Sequence, residues 1–169
     1  MKILNVNGME LHVSEDIRKE KDFNVGLELY LESVRDCAFS EEAYEEYYKE
    51  YSKKTGLSGF GLLLAHGDPS SDWGWKCIDG NKRKSVQSWI NENDGKHAGL
   101  ILICCNEYTK EIHSRKSLVF VPDRPFSIIA FNANAVKYEM YVPKKGYMNN
   151  YVVEYELEQL KKWNQSKKI

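Results

Sequence analysis

Two short apolar runs constrain the fold of this chain more than anything else in it. One is Phe60-Gly61-Leu62-Leu63-Leu64-Ala65, which ends on His66-Gly67; the other is Gly99-Leu100-Ile101-Leu102-Ile103, which ends on Cys104-Cys105-Asn106. Each is nearly uncharged and bounded by turn-forming residues, the pattern left by a strand covered on both faces of a parallel sheet. Between them, Lys82 to Asn93 reads as one helix. Strand, helix and strand make a βαβ unit over 59–106, and its right-handed crossover leaves the two strands parallel. An imidazole and a thiol then arrive at one edge of the sheet, outside the carboxyl ends of the strands, where open α/β sheets hold their sites.

The 169 residues suit a single domain, 1–169, with enough chain to bury a core without staples. Lys+Arg 24 against Asp+Glu 25 leaves a formal charge of -1, which provides no electrostatic footprint for nucleic acid or an anionic membrane surface. The apolar runs are far too short to span a bilayer, and acidic and polar residues soon after Ile3-Leu4 do not fit a signal peptide. The expected location is cytoplasmic. Cys37, Cys77, Cys104 and Cys105 form no C-x-x-C pair and no disulfide framework, so reduced thiols are expected.

Lys2 to Val6 and Met9 to Val13 alternate apolar and polar residues on either side of Asn7-Gly8, the strongest two-residue hairpin signal. Ser14 to Asn24 is charged and aperiodic and reads as a connection. Val25 to Cys37 reads as a helix, although the alternation over Val25 to Leu31 also fits a strand. A helix from Glu41 to about Lys54 follows, capped by Ser40 and stopped by Gly56. Beyond the central unit, Glu107 to Ser117 has the composition of an exposed loop. Leu118 to Val121, Ser127 to Phe131 and Val136 to Val142 read as strands, and Asn149 to Trp163 as a closing amphipathic helix. The fold class is α/β, with a central, mostly parallel sheet, antiparallel edge strands that include the N-terminal hairpin, and helices on both faces.

Two residues at the ends of the apolar runs could carry chemistry. His66 closes a strand, a position where a histidine usually marks the polar border of a core; Gly67 after it allows close backbone approach, so its amide could donate to an anion. Side chains alternate along a strand, so Cys104 and Cys105 cannot both face one way. Cys105, followed by polar Asn106-Glu107, is the candidate exposed thiol and Cys104 the packing residue. A nearby imidazole can activate that thiol. Trp73 and Trp75 either wall a pocket or cover the sheet edge.

An apolar strand ending in His-Gly, a helix, and an apolar strand ending in a small residue plus Cys resemble the caspase-like cysteine peptidases, the group of caspases, legumains, gingipains, clostripains and bacterial CHAT domains. Leu62-Leu63-Leu64-Ala65-His66-Gly67 and Leu100-Ile101-Leu102-Ile103-Cys104-Cys105 carry the likeness. The resemblance implies a three-layer α/β/α fold, a His66/Cys105 catalytic dyad, and an oxyanion hole from the Gly67 and Cys105 amides. Asn106, Trp73 and Trp75 complete the candidate substrate-binding set. Asn106-Glu107-Tyr108 departs from the family, which usually has Gly, Ser or Thr soon after the nucleophile.

These residues support three readings. The first is a cysteine hydrolase acting on a peptide or protein substrate, with no cofactor, no metal and no nucleic-acid or membrane partner. The second is a non-catalytic ligand- or protein-binding module that uses the His66 edge. The third follows from Leu63-Leu64-Ala65-His66-Gly67-Asp68-Pro69, which resembles the first strand and loop of small tetrapyrrole metal chelatases, where the His binds the metal. A zinc site from Cys104, Cys105, His66 and His113 is disfavoured because adjacent cysteines lack the spacing of tetrahedral sites.

Overall fold

The computed structural model describes residues 1–19, 27–39, 42–67, 76–104, 112–122 and 138–143. The N-terminal hairpin joins β1 (Lys2–Val6) to β2 (Met9–Val13), with Val6 opposite Met9 and both turn residues at positive φ, 50° at Asn7 and 78° at Gly8. That is the primed two-residue turn that the right-handed twist of paired strands favours. A single-turn helix, α1 (Glu15–Arg18), then occupies part of the stretch expected to be irregular, and Ile17 is its buried residue. Two longer helices follow, α2 (Leu27–Ala38) and α3 (Glu42–Thr55). Gly56, at φ 74°, donates its amide to the Ser52 carbonyl and ends α3.

The apolar runs form β3 (Phe60–Leu64) and β7 (Gly99–Ile103), buried at every residue. They are parallel neighbours, with Phe60 opposite Gly99 and Leu64 opposite Ile103. The main sheet has the order β1-β2-β3-β7-β8-β9, where β8 is Leu118–Pro122 and β9 is Tyr138–Tyr141. Its four inner strands run parallel and the outer pairings, β1 with β2 and β8 with β9, are antiparallel. The hairpin is therefore only half edge, since β2 lies parallel to β3 inside the sheet.

Register assigns the two faces. Leu11, Leu62, Ile101 and Phe120 share one face with Phe60, and it is covered from the α2 and α3 side. Phe39, just past α2, packs edge-on against Phe60 and Phe120, while Tyr48 of α3 stacks on Phe60 at 4.6 Å. His12, Leu63 and Leu102 point to the opposite face, where Trp89 of α4 (Val86–Asn93) meets His12 at a 5.4 Å centroid separation. Helices on both faces of a mixed sheet make this an α/β fold. No helix among the described residues is long and apolar enough to cross a membrane.

The crossover between β3 and β7 differs from the expected single helix. Lys82 to Ser85 is strand β6, and only Val86 to Asn93 is helical. β6 pairs antiparallel with β5 (Lys76–Asp79), which pairs with the two-residue β4 (His66–Gly67), forming a second, three-stranded sheet. The β5–β6 turn is Gly80-Asn81, with Gly80 at φ 63°, a conformation that opens a primed hairpin turn at little cost for glycine. Strand residues thus extend the charged Lys82-Arg83-Lys84, which isolated propensity assigns to helix.

Residues 112–117 differ as well. Ile112, Ser114 and Ser117 are buried, so the end of this connection is not an exposed loop. Asp94 holds it, accepting the Arg115 amide on Oδ2 at 2.7 Å and the Lys116 and Ser117 amides on Oδ1 at 2.9 Å. The Gln87 side chain adds a two-point pairing with the His113 backbone. Asp94→Ala should lower stability by about 1–3 kcal/mol in urea denaturation, because a charged acceptor of three amides is lost and the Ser117 amide is buried. Asp94→Asn should recover part of that loss. The expected strand at 127–131 and the closing helix at 149–163 lie outside the described residues.

Candidate functional site

The main-sheet pairing continues one step past β3, where the Ala65 amide donates to the Ile103 carbonyl at 3.2 Å. His66 is the next residue. There the chain leaves the main sheet and enters the small one, with His66 opposite Ile78 and Gly67 opposite Cys77. Both residues are half-buried. Gly67 takes no left-handed conformation and is part of a β ladder.

Cys104 directly follows β7 and is fully buried, in keeping with a packing role. Cys105, Asn106, Trp73 and Trp75 lie outside the described residues. Among the described residues, Cys37, Cys77 and Cys104 are buried thiols outside any disulfide. Cys77, directly across the small sheet from Gly67, was not singled out by sequence. Burial pushes its thiol up to about 11, against the opposing pull of Lys84. A thiol that is buried and protonated at neutral pH does not compete as a nucleophile.

A second polar group was invisible in the sequence. On the sheet face under α4, His12 donates from Nε2 to Glu10 Oε1 at 2.7 Å, and His97 Nε2 lies 3.6 Å from the same oxygen. Gly61 makes room for it: a Cβ there would stand 2.8 Å from His97 Cδ2. The three residues come from β2 and from the turn before β7, so no local pattern links them. No group of three or more metal-ligating side chains is arranged to hold an ion among the described residues.

The His12 hydrogen bond, with smaller help from the His97 charge and against a desolvation cost, holds the Glu10 carboxyl below its ordinary 4.5. A depressed carboxylate stabilises the fold above its unfolded value, and that contribution is lost as pH falls through the folded one. Wild type should therefore be more stable than Glu10→Gln at neutral pH. The gap in melting temperature between them should close as the pH is lowered well below 4.5. A gap that stays constant down to acid unfolding would show that this carboxylate carries no linked stability.

Comparison of the chain with protein-family models, with curated proteins and with solved structures finds no match.

Proposed function

We propose that this protein is a cysteine hydrolase of peptide bonds, built on the caspase-like plan, with Cys105 as nucleophile and His66 as its proton partner. The observation that carries the reading is the adjacency of β3 and β7, parallel and in register to Leu64 and Ile103. In sequence, His66 follows the end of one strand by two residues and Cys105 follows the end of the other by two. In the reaction, the Cys105 thiolate attacks the scissile carbonyl carbon. The oxyanion that forms accepts hydrogen bonds from the Gly67 and Cys105 amides. Collapse to a thioester breaks the C–N bond, and the amine leaves with a proton from His66. Water, deprotonated by His66, then hydrolyses the thioester. A thiol used in this way must stay reduced, which suits the cytoplasm.

The test is covalent labelling. An electrophilic peptide probe incubated with the folded protein should attach to Cys105, read by mass spectrometry of the digested chain, and denaturation beforehand should abolish the selectivity. Labelling spread evenly over all four cysteines only after unfolding would contradict the proposal.

One observation favours a second reading, a non-catalytic module that binds a ligand or protein through the His66 edge with Trp73 and Trp75. His66 and Gly67 are committed to the β4–β5 ladder, and a ladder residue is a rigid binding platform. Retention of a peptide on the column-bound Cys105→Ser variant, with no cleavage by wild type, is the result this module predicts.

A further inference from the structure

We propose that the outer edge of β1 pairs antiparallel with β1 of a second copy of this chain, joining two main sheets across a two-fold axis at Leu4. β1 ends the strand order of the main sheet, and among the described residues no strand lies on its outer side. In a two-residue hairpin the closing pair is hydrogen-bonded, and the bonding direction alternates from there. With Val6 opposite Met9, the backbone groups of Val6, Leu4 and Lys2 point to β2. Those of Ile3 and Asn5 point outward.

Two donors and two acceptors on residues 3 and 5 are self-complementary under a two-fold axis at residue 4. Ile3 of each copy exchanges both hydrogen bonds with Asn5 of the other, making four in total. A centre at Ile3 would oppose Asn5 to Met1, which lies outside β1. A centre at Asn5 would oppose Ile3 to Asn7, a turn residue at φ 50°. Only the Leu4 centre pairs every outward group within the strand.

Side chains agree with that register. The exposed large apolar residues among those described are Met1 and Ile3, at 39% and 55%, both at this edge. Across the axis Ile3 lies diagonal to Ile3 of the second copy, within reach of apolar contact. Lys2 is the charged residue of β1 and falls opposite Val6, so self-pairing opposes no like charges. A strand of five residues buries less than the roughly 1,200 Å² of a standard stable interface, so the dimer is concentration-dependent and not obligate.

Disulfide trapping tests the register. The non-hydrogen-bonded pair at the axis brings the two Leu4 positions close enough for a disulfide. Under mild oxidation Leu4→Cys should therefore give a cross-linked dimer about tenfold faster or more than Lys2→Cys, with wild type as the control for its native cysteines. Adding Asn5→Pro removes an outward amide without touching the β1–β2 ladder, and should suppress the cross-link; circular dichroism confirms that each variant is folded. Ile3→Lys, which sets two cations diagonal to each other, should weaken dimerisation at least tenfold in sedimentation equilibrium. Equal cross-linking at positions 2 and 4 overturns the proposal. So does a cross-link indifferent to Asn5→Pro, or an association unchanged by Ile3→Lys, the result expected if a different surface joins the copies.

Discussion

Replacing Phe120 by alanine should destabilise the fold by about 3–5 kcal/mol, the range for removing a buried aromatic ring that the surroundings cannot fill. Phe120 is fully buried at the middle of β8. Its ring meets Phe39 at 5.5 Å, nearly perpendicular, and Phe60 at 6.4 Å. Tyr48 stacks on the far side of that cluster and ties it to α3, with its hydroxyl donating to the Gly59 carbonyl at 3.0 Å. The neighbouring Gly99 has no side chain that could swing into the vacated space. A Cβ on Gly99 would already stand 2.9 Å from the Phe60 ring and 3.2 Å from Phe120. Typical domains are stable by only 5–15 kcal/mol, so the variant should lose a large share of its stability, visible as a lower urea midpoint. A loss below about 1 kcal/mol would mean that the aromatic cluster is not the clamp between the helices and the sheet.

The second large effect concerns reactivity instead of stability. His66→Ala should leave the fold nearly as stable as wild type, since a half-buried residue beyond the end of β3 contributes little core. If His66 carries the proton, hydrolysis of a peptide bond should fall by about 10²–10⁴-fold, the usual worth of a positioned acid–base group. Reaction of Cys105 with the electrophilic probe should fall in parallel. A structural histidine behaves in the opposite way: its loss leaves buried partners unsatisfied and costs about 1–3 kcal/mol with thiol chemistry unchanged. Measuring melting temperature and probe rate on the same variant separates the two roles.

The main sheet was legible where local chemistry and tertiary need coincide. Asn7-Gly8 announced its hairpin because both residues accept the positive φ of the turn, and the two apolar runs announced a parallel pair because both their faces are covered. Lys82-Arg83-Lys84 misled, because a short charged strand shows no apolar alternation; its state is fixed by the β5 ladder and by the Gly80 turn. The Asp79-Gly80-Asn81 sequence held the available signal. The parallel contact of β2 with β3 was also unreadable, since a hairpin does not state which of its strands enters a sheet. At the candidate site, the shared strand pair was legible, while the ladder that engages His66 and Gly67 was not. The grouping of Glu10, His12 and His97 was unreadable for a similar reason. They meet only because Gly61 vacates the space between β2 and the turn before β7.

The dyad itself is tested most directly by the rate of Cys105 alkylation as a function of pH in wild type and in His66→Ala. Mass spectrometry of the digested chain resolves Cys105 from the buried Cys104. If His66 activates the thiol, the wild-type rate should already be on its plateau near neutral pH. The variant should climb only toward the ordinary cysteine value of about 8.5. Superimposable profiles, both rising near 8.5, would contradict the dyad and leave the binding module as the reading of this sheet edge.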